Sequence, residues 1–198
     1  RLLRPLRPTA IIGRMHRSHL LELLADYASR YPAEGPVLER FLAFVNAHER
    51  CFERDLWAGH VTGSAWLVDA SRERVLLTHH RKLGRWLQLG GHSDGNPDSL
   101  QVAMTEASEE SGLAVVPLSG AVFDLDIHEI PARGNDPAHF HYDVRFALQV
   151  DGDEAFRISR ESLDLAWVPI DRLGDFTDEV SMLRMAGKWR SFVEGLSA

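Results

Sequence analysis

The chain has 198 residues, 44% of them hydrophobic, with 15 glycines and nine prolines, the profile of one ordinary globular domain with a modest extension. Lys plus Arg make 22 and Asp plus Glu make 29, a formal charge of −7, so no broad positive field awaits a nucleic-acid duplex or an anionic membrane, and a phosphate-bearing partner must be met locally. Apolar runs fall far short of the ~20 residues that cross a bilayer, no secretory leader pattern occurs, and a single cysteine, Cys51, excludes an internal disulfide or a multi-thiolate zinc site; a soluble, cytoplasmic protein is expected.

Residues 1–14 carry four arginines, two prolines and no acid. They are read, with Met15 as the expected native start, as a 1–15 extension with a poorly ordered terminus rather than a functional basic arm. Leu20, Leu21, Leu24 and Tyr27 then recur at helical spacing. After the Pro32–Pro36 interruption, Val37, Leu38, Phe41, Leu42, Val45 and Phe52 mark a second helix, so 16–59 is expected to be a helical hairpin packed on the main domain at 60–198.

Beyond residue 60 the hydrophobic period shifts towards 2. Strands are expected at 64–69, 75–79 and 86–89, a helix of about four turns at 97–111, and two longer strands with one polar face each. In the first of these, Phe123, Leu125 and Ile127 oppose Asp124, Asp126 and His128. In the second, Phe140, Tyr142, Val144, Phe146 and Leu148 oppose His141, Asp143, Arg145 and Gln149. A short strand at 165–170 and a closing helix at 180–194 complete an α+β chain, a mixed α/β/α sandwich.

The chemistry concentrates in residues 90–113. Between Ser93 and Gly112 stand Asp94, Asp98, Glu106, Glu109 and Glu110 with no Lys or Arg among them. Asn96 suits the helix N-cap, Pro97 the first helical position and Gly112 a left-handed stop. Glu106, Glu109 and Glu110 fall at i, i+3 and i+4, so their carboxylates share one stripe beside an anchoring stripe of Leu100, Ala103, Met104 and Ala107. Unrelieved like charges at this spacing ask for a cation, and hard oxygen donors on a rigid helix suit Mg²⁺ or Mn²⁺.

This segment resembles the Nudix box, the loop-helix signature of the Nudix hydrolase family. With Gly91 on the box glycine, Glu106, Ala107, Glu109, Glu110, Gly112 and Leu113 take their expected positions. The resemblance implies a Nudix-like sandwich over about 60–195 and a metal-dependent pyrophosphohydrolase. Such an enzyme cleaves a phosphoanhydride in a nucleoside diphosphate derivative, a phosphorylated small molecule. Glu106, Glu109 and Glu110 would be catalytic and would hold Mg²⁺ or Mn²⁺ with the main-chain carbonyl near Gly90. The resemblance also admits a homodimer, since many relatives are dimers. Two positions depart from the pattern: Pro97 replaces the first box glutamate and Thr105 the arginine before Glu106. A nucleotide or sugar-nucleotide binding module with little turnover is therefore the alternative reading.

Outside the box, Arg81, Lys82 and Arg85 form a basic turn that would meet diphosphate, with Trp86 packed beneath the loop. His92, His128, His141 and Arg145 are candidate substrate contacts. Asp126, His128, His139, His141, Asp143 and Arg145 alternate on two polar strand faces and are read as a recognition wall in preference to a histidine metal site, because no His-Glu-X-X-His motif occurs. Nudix isopentenyl diphosphate isomerases do use histidine ligands but need a cysteine near the box, and Cys51 lies on the hairpin, where it reads as a small buried hydrophobe. Glu161 and Asp164 before Trp167 look like the acidic-then-Trp segment found late in Nudix domains.

Overall fold

The computed structural model describes residues 8–81, 83–159 and 162–196, with side chains described from residue 16 onward. Its centre is β1, His60–Val68, in which all nine residues are buried. A strand buried on both faces needs a layer on each side. Along one edge β1 pairs in parallel with β7 (His139–Val150), from His60 opposite His141 to Val68 opposite Gln149. Its other edge forks. Residues 62–65 pair antiparallel with β4 (Leu89–His92), while Val68 meets Val75 of β2 (Arg74–His80). β3 (Arg85–Leu87) and β8 (Ser162–Pro169) pair with β2, and β5 (Val115–Pro117) and β6 (Asp124–Ile130) with β7.

Alternation along β1 sorts two cores. Val61, Ala65 and Leu67 face α1 (Pro8–Arg30), α2 (Gly35–Ala47) and α3 (Ser99–Ser111) in a cluster with Leu20, Leu24, Tyr27, Phe41, Val45, Ala103 and Ala107. Trp66 and Val68 face α4 (Val180–Leu196) in a second cluster with Phe123, Met182, Met185 and Trp189. Helices therefore cover both faces of the sheet, the expected α/β/α sandwich. The side chains buried by the N-terminal hairpin belong to the same cluster as the sheet's own Tyr142, Val144 and Phe146.

Several boundaries differ from the sequence reading, each for a local reason. α1 already runs from Pro8, so part of the presumed extension is helical, and residues 1–7 lie outside the described chain. α2 stops at Ala47 because His48 turns to an extended backbone (φ −119°, ψ 107°); Cys51 and Phe52 are buried from the turn beyond it. Burial pushes the Cys51 thiol up to about 12, so it stays protonated at neutral pH. β4 and β5, at four and three residues, are too short to display a period. Among the described residues no helix is long and apolar enough to cross a membrane.

Candidate functional site

α3 starts one step later than expected. Asp98, not Asn96, is its N-cap, accepting the Gln101 N–H at 3.0 Å, while Asn96 Oδ1 accepts the Asp98 N–H in a turn just outside the helix. Pro97 therefore precedes the cap rather than opening the helix. Gly112 ends the helix at φ 72°, as its position suggested. The helix lies so close to β1 that a Cβ on Gly63 would stand 2.8 Å from the Ser99 carbonyl oxygen.

That close approach redistributes the acids. The buried face is Val102, Ala103, Ala107, Glu110 and Ser111, so Glu110 does not project with the others; Leu100 and Met104 are only partly buried. Glu110 is 7% exposed and its Oε1 accepts the Gly90 N–H at 2.8 Å. Glu106 is half-buried, with its carboxylate pressed onto Gly91, where a Cβ would stand 2.5 Å from it. Glu109 and Thr105 are exposed. The two glycines serve opposite sides of β4: a side chain on Gly90 would run into Ser64 and the Gly63 carbonyl, and one on Gly91 into Glu106. Among the described residues Glu106, Glu109 and Glu110 do not bring three carboxylate oxygens within 4.8 Å of one another, so the stripe expected from the helix period is not a gathered ligand set here; oxygen donors of this kind are the type that suits Mg²⁺ or Mn²⁺. Since the carboxylate is the flexible partner in this contact, Gly91→Ala is expected to leave the melting temperature within a few degrees of wild type. It should displace Glu106 and cut metal-dependent turnover at least about tenfold, checked by thermal melts beside initial rates.

The opposite face of β1 carries the histidines. Register places His60 of β1 beside His141 of β7 and His141 beside His128 of β6, while His92 of β4 pairs with Thr62, two residues along from His60. The ring centroids of His60, His92 and His141 stand 4.8 to 5.1 Å apart. Burial first, and neighbouring imidazoles second, push His60 down to about 4 and His141 to about 2, so both rings are neutral at pH 7. His128 Nδ1 lies 3.1 Å from Asp126 Oδ2. His139 Nδ1 donates to the Pro137 carbonyl at 2.8 Å, because a carbonyl can only accept.

Further along the same face the polar groups are spent on structure. Asp143, 1% exposed, accepts from Thr62 Oγ1, Ser64 Oγ, Gln88 Nε2 and Arg145 Nε. Arg145 was expected at the substrate, but it is 2% exposed and its three nitrogens meet Asp143, Asp124 and Asp126 at 2.7 to 3.3 Å. It braces β6 against β7. Asp124, fully buried, also receives Arg184 and Lys188 from α4 at 2.7 and 2.8 Å. Burial alone would raise the Asp126 carboxyl, but His128 and Arg145 outweigh it and hold it well below the usual carboxylate range.

The basic turn is also tied down. Arg81 Nη2 donates to the Ser162 carbonyl at 3.0 Å, and Arg85 pairs with Glu179; Lys82 and Glu161 lie outside the described residues. Trp86 stacks on His79 with ring centroids 5.0 Å apart and meets Phe176 edge-on, instead of packing beneath the glycine strand. Trp167 Nε1 donates to the Glu154 carbonyl. A groove of about 690 Å³ between α1 and α4, lined by Arg30, Tyr31, Glu34, Arg184 and Lys188, lies away from the carboxylates of α3. Its cations already pair with Asp26, Asp124, Asp126 and Glu34.

No protein-family model matches the chain, and no curated protein matches it. Solved structures do. A MutT protein from Methanosarcina mazei superposes with a TM-score of 0.52 at 15% identity, covering 69% of this chain and 96% of that one. A Nudix-family hydrolase from Clostridium perfringens gives 0.49 at 24% identity, covering 67% and 97%, and an Ap4A hydrolase from C. elegans 0.49 at 17%, covering 68% and 98%. At 15% identity the superposition on the MutT protein speaks for the fold alone, the Nudix-like α/β/α sandwich.

Proposed function

We propose that this Nudix-fold chain is a Mg²⁺- or Mn²⁺-dependent hydrolase that cleaves a phosphoanhydride bond in a nucleoside diphosphate derivative. The observation that carries the reading is the docking of Glu106 and Glu110 onto Gly91 and Gly90 at the spacing of the Nudix box. Glu106, Glu109, Glu110 and the Gly90 carbonyl would hold the cation. When bound it would neutralise charge on the diphosphate and lower the pKa of water.

The chain's own contribution is geometric. The Gly90 N–H orients Glu110 before substrate arrives, and the bare Cα of Gly91 leaves the room in which the Glu106 carboxylate lies. Glu109, exposed on the same helix, is the first candidate, ahead of Glu106, to take a proton from water as its oxygen attacks one phosphorus. The anhydride P–O bond breaks and the departing phosphate carries the electron pair. His92, His128 and His141 supply a polar wall for the rest of the substrate.

The test is a panel of nucleoside triphosphates, dinucleoside polyphosphates, ADP-ribose and nucleotide sugars, with Mg²⁺ or Mn²⁺. At least one should be hydrolysed, and Glu109→Gln should lower its turnover by about 10²–10³-fold. Undiminished turnover in the pure variant would overturn the assignment of Glu109, and saturable binding with no turnover on any compound would replace the enzyme by a binding module.

A further inference from the structure

We propose that His60, His92 and His141 form a second metal site that takes a zinc-class divalent ion through three imidazole nitrogens, distinct from the oxygen-lined set on α3. One ligand nitrogen from each of the three residues lies within 4.8 Å of the others. The rings are inclined to one another by 46° to 85° rather than stacked, which leaves their edges free to face a common centre. Three nitrogens around tetrahedral Zn²⁺ stand about 3.3 Å apart at Zn–N bonds of ~2.0–2.1 Å. Small side-chain rotations therefore close the triangle without moving strands whose register is fixed on both edges.

The second observation is an unmet polar need. His60 is 1% exposed, and neither of its ring nitrogens has a hydrogen-bond partner of normal geometry; His141 Nε2 is buried and also lacks one. The Leu56 backbone comes close enough to favour a proton on His60 but does not complete a bond. Burying polar atoms without partners costs stability, and three of them, His60 Nδ1 and Nε2 and His141 Nε2, belong to rings of this one cluster.

Donor chemistry selects the ion. Imidazole suits Zn²⁺ and its neighbours, whereas Mg²⁺ takes oxygen. His92 and His141 are half-buried, which leaves an approach from solvent. Three protein ligands leave a fourth position for water or an outside oxygen, the pattern of reactive rather than structural zinc sites. The site is separate from the acids because adjacent residues of β4 point to opposite sides: Gly91 receives Glu106 and His92 joins the histidines.

The experiment titrates tag-free, chelator-stripped protein with Zn²⁺ against a chromophoric competitor, and with Co²⁺ while recording its visible d–d absorption. One ion per chain is expected, with the absorption of a nitrogen-rich four-coordinate site. Affinity should fall at least about 100-fold in His92→Ala and in His141→Ala, and remain within about threefold of wild type in Glu109→Gln. His92→Ala, at a half-buried position, keeps the test open should the His141 variant not fold, and thermal melts without metal verify both. No saturable Zn²⁺ binding, or binding unchanged in the folded histidine variants, would overturn the site. Loss of binding in Glu109→Gln alone would place the ion on α3 instead. Because the readout is metal affinity, it stands or falls separately from any hydrolysis measured on the panel.

Discussion

Glu110→Gln should lower turnover of a cleavable nucleoside diphosphate derivative by about 10²–10³-fold while changing stability by less than about 1 kcal/mol. The separation follows from the two jobs of one carboxylate. Its Oε1 accepts the Gly90 N–H at 2.8 Å, and the carbonyl oxygen of a glutamine accepts equally well, so α3 stays docked on β4. What is lost is the negative charge, and with it one of the oxygen donors proposed for the cation. Glu110→Ala, by contrast, leaves the Gly90 N–H without its acceptor in a largely buried place, and should lose both activity and roughly 1–3 kcal/mol of stability. Urea unfolding alongside initial rates separates the two variants. A Glu110→Gln protein with wild-type rates would remove Glu110 from the proposed cation set.

Arg145→Met is expected to be the most destabilising of these substitutions, costing about 3–5 kcal/mol. Methionine approximates the volume but not the charge, and it strands carboxylates that cannot reach water. Asp143 is 1% exposed and Asp124 fully buried. Asp124 keeps Arg184 and Lys188, so most of the penalty falls on Asp143 and Asp126. Pairing Arg145→Met with Asp143→Asn should recover part of the loss, since the amide still accepts from Thr62 and Ser64 without carrying a charge. Urea unfolding at neutral pH gives the comparison; a cost under about 1 kcal/mol for the single variant would show that the guanidinium does not brace β6 and β7.

These two positions also mark what sequence reading reaches. The nearness of Glu110 to Gly90 was legible because both lie within one short segment, but its burial was not, since the helix period put it on a projecting stripe with Glu106 and Glu109 and only the approach of α3 to β1 turns it inward. The sandwich and its two long alternating strands were likewise legible from local pattern. Arg145 was misassigned because alternation gives the face of a strand but not what covers that face, and only the packing of α4 and β6 shows three carboxylates already waiting for it. His60 went unremarked since it stands alone in sequence, and its partners come from β4 and β7 through pairing that no local pattern encodes. Asn96 was read as the cap, whereas Asp98 takes that place by accepting the Gln101 N–H, a difference of two residues that one helix period does not resolve.

One face of β1 runs His60, Thr62, Ser64, Trp66, Val68, grading from imidazole through hydroxyl to hydrocarbon, with His141, Asp143, Arg145 and Ala147 of β7 beside the first four. A slip of one residue between β1 and β7 would turn that series toward the helices on the other side, exchanging it with Val61, Gly63, Ala65 and Leu67. The hydroxyl clasp on Asp143 would open and Trp66 would be driven against α3. Errors in strand alignment are thus penalised by the very side chains that equip the site, so a chain that has folded at all has already proofread the placement of its chemistry.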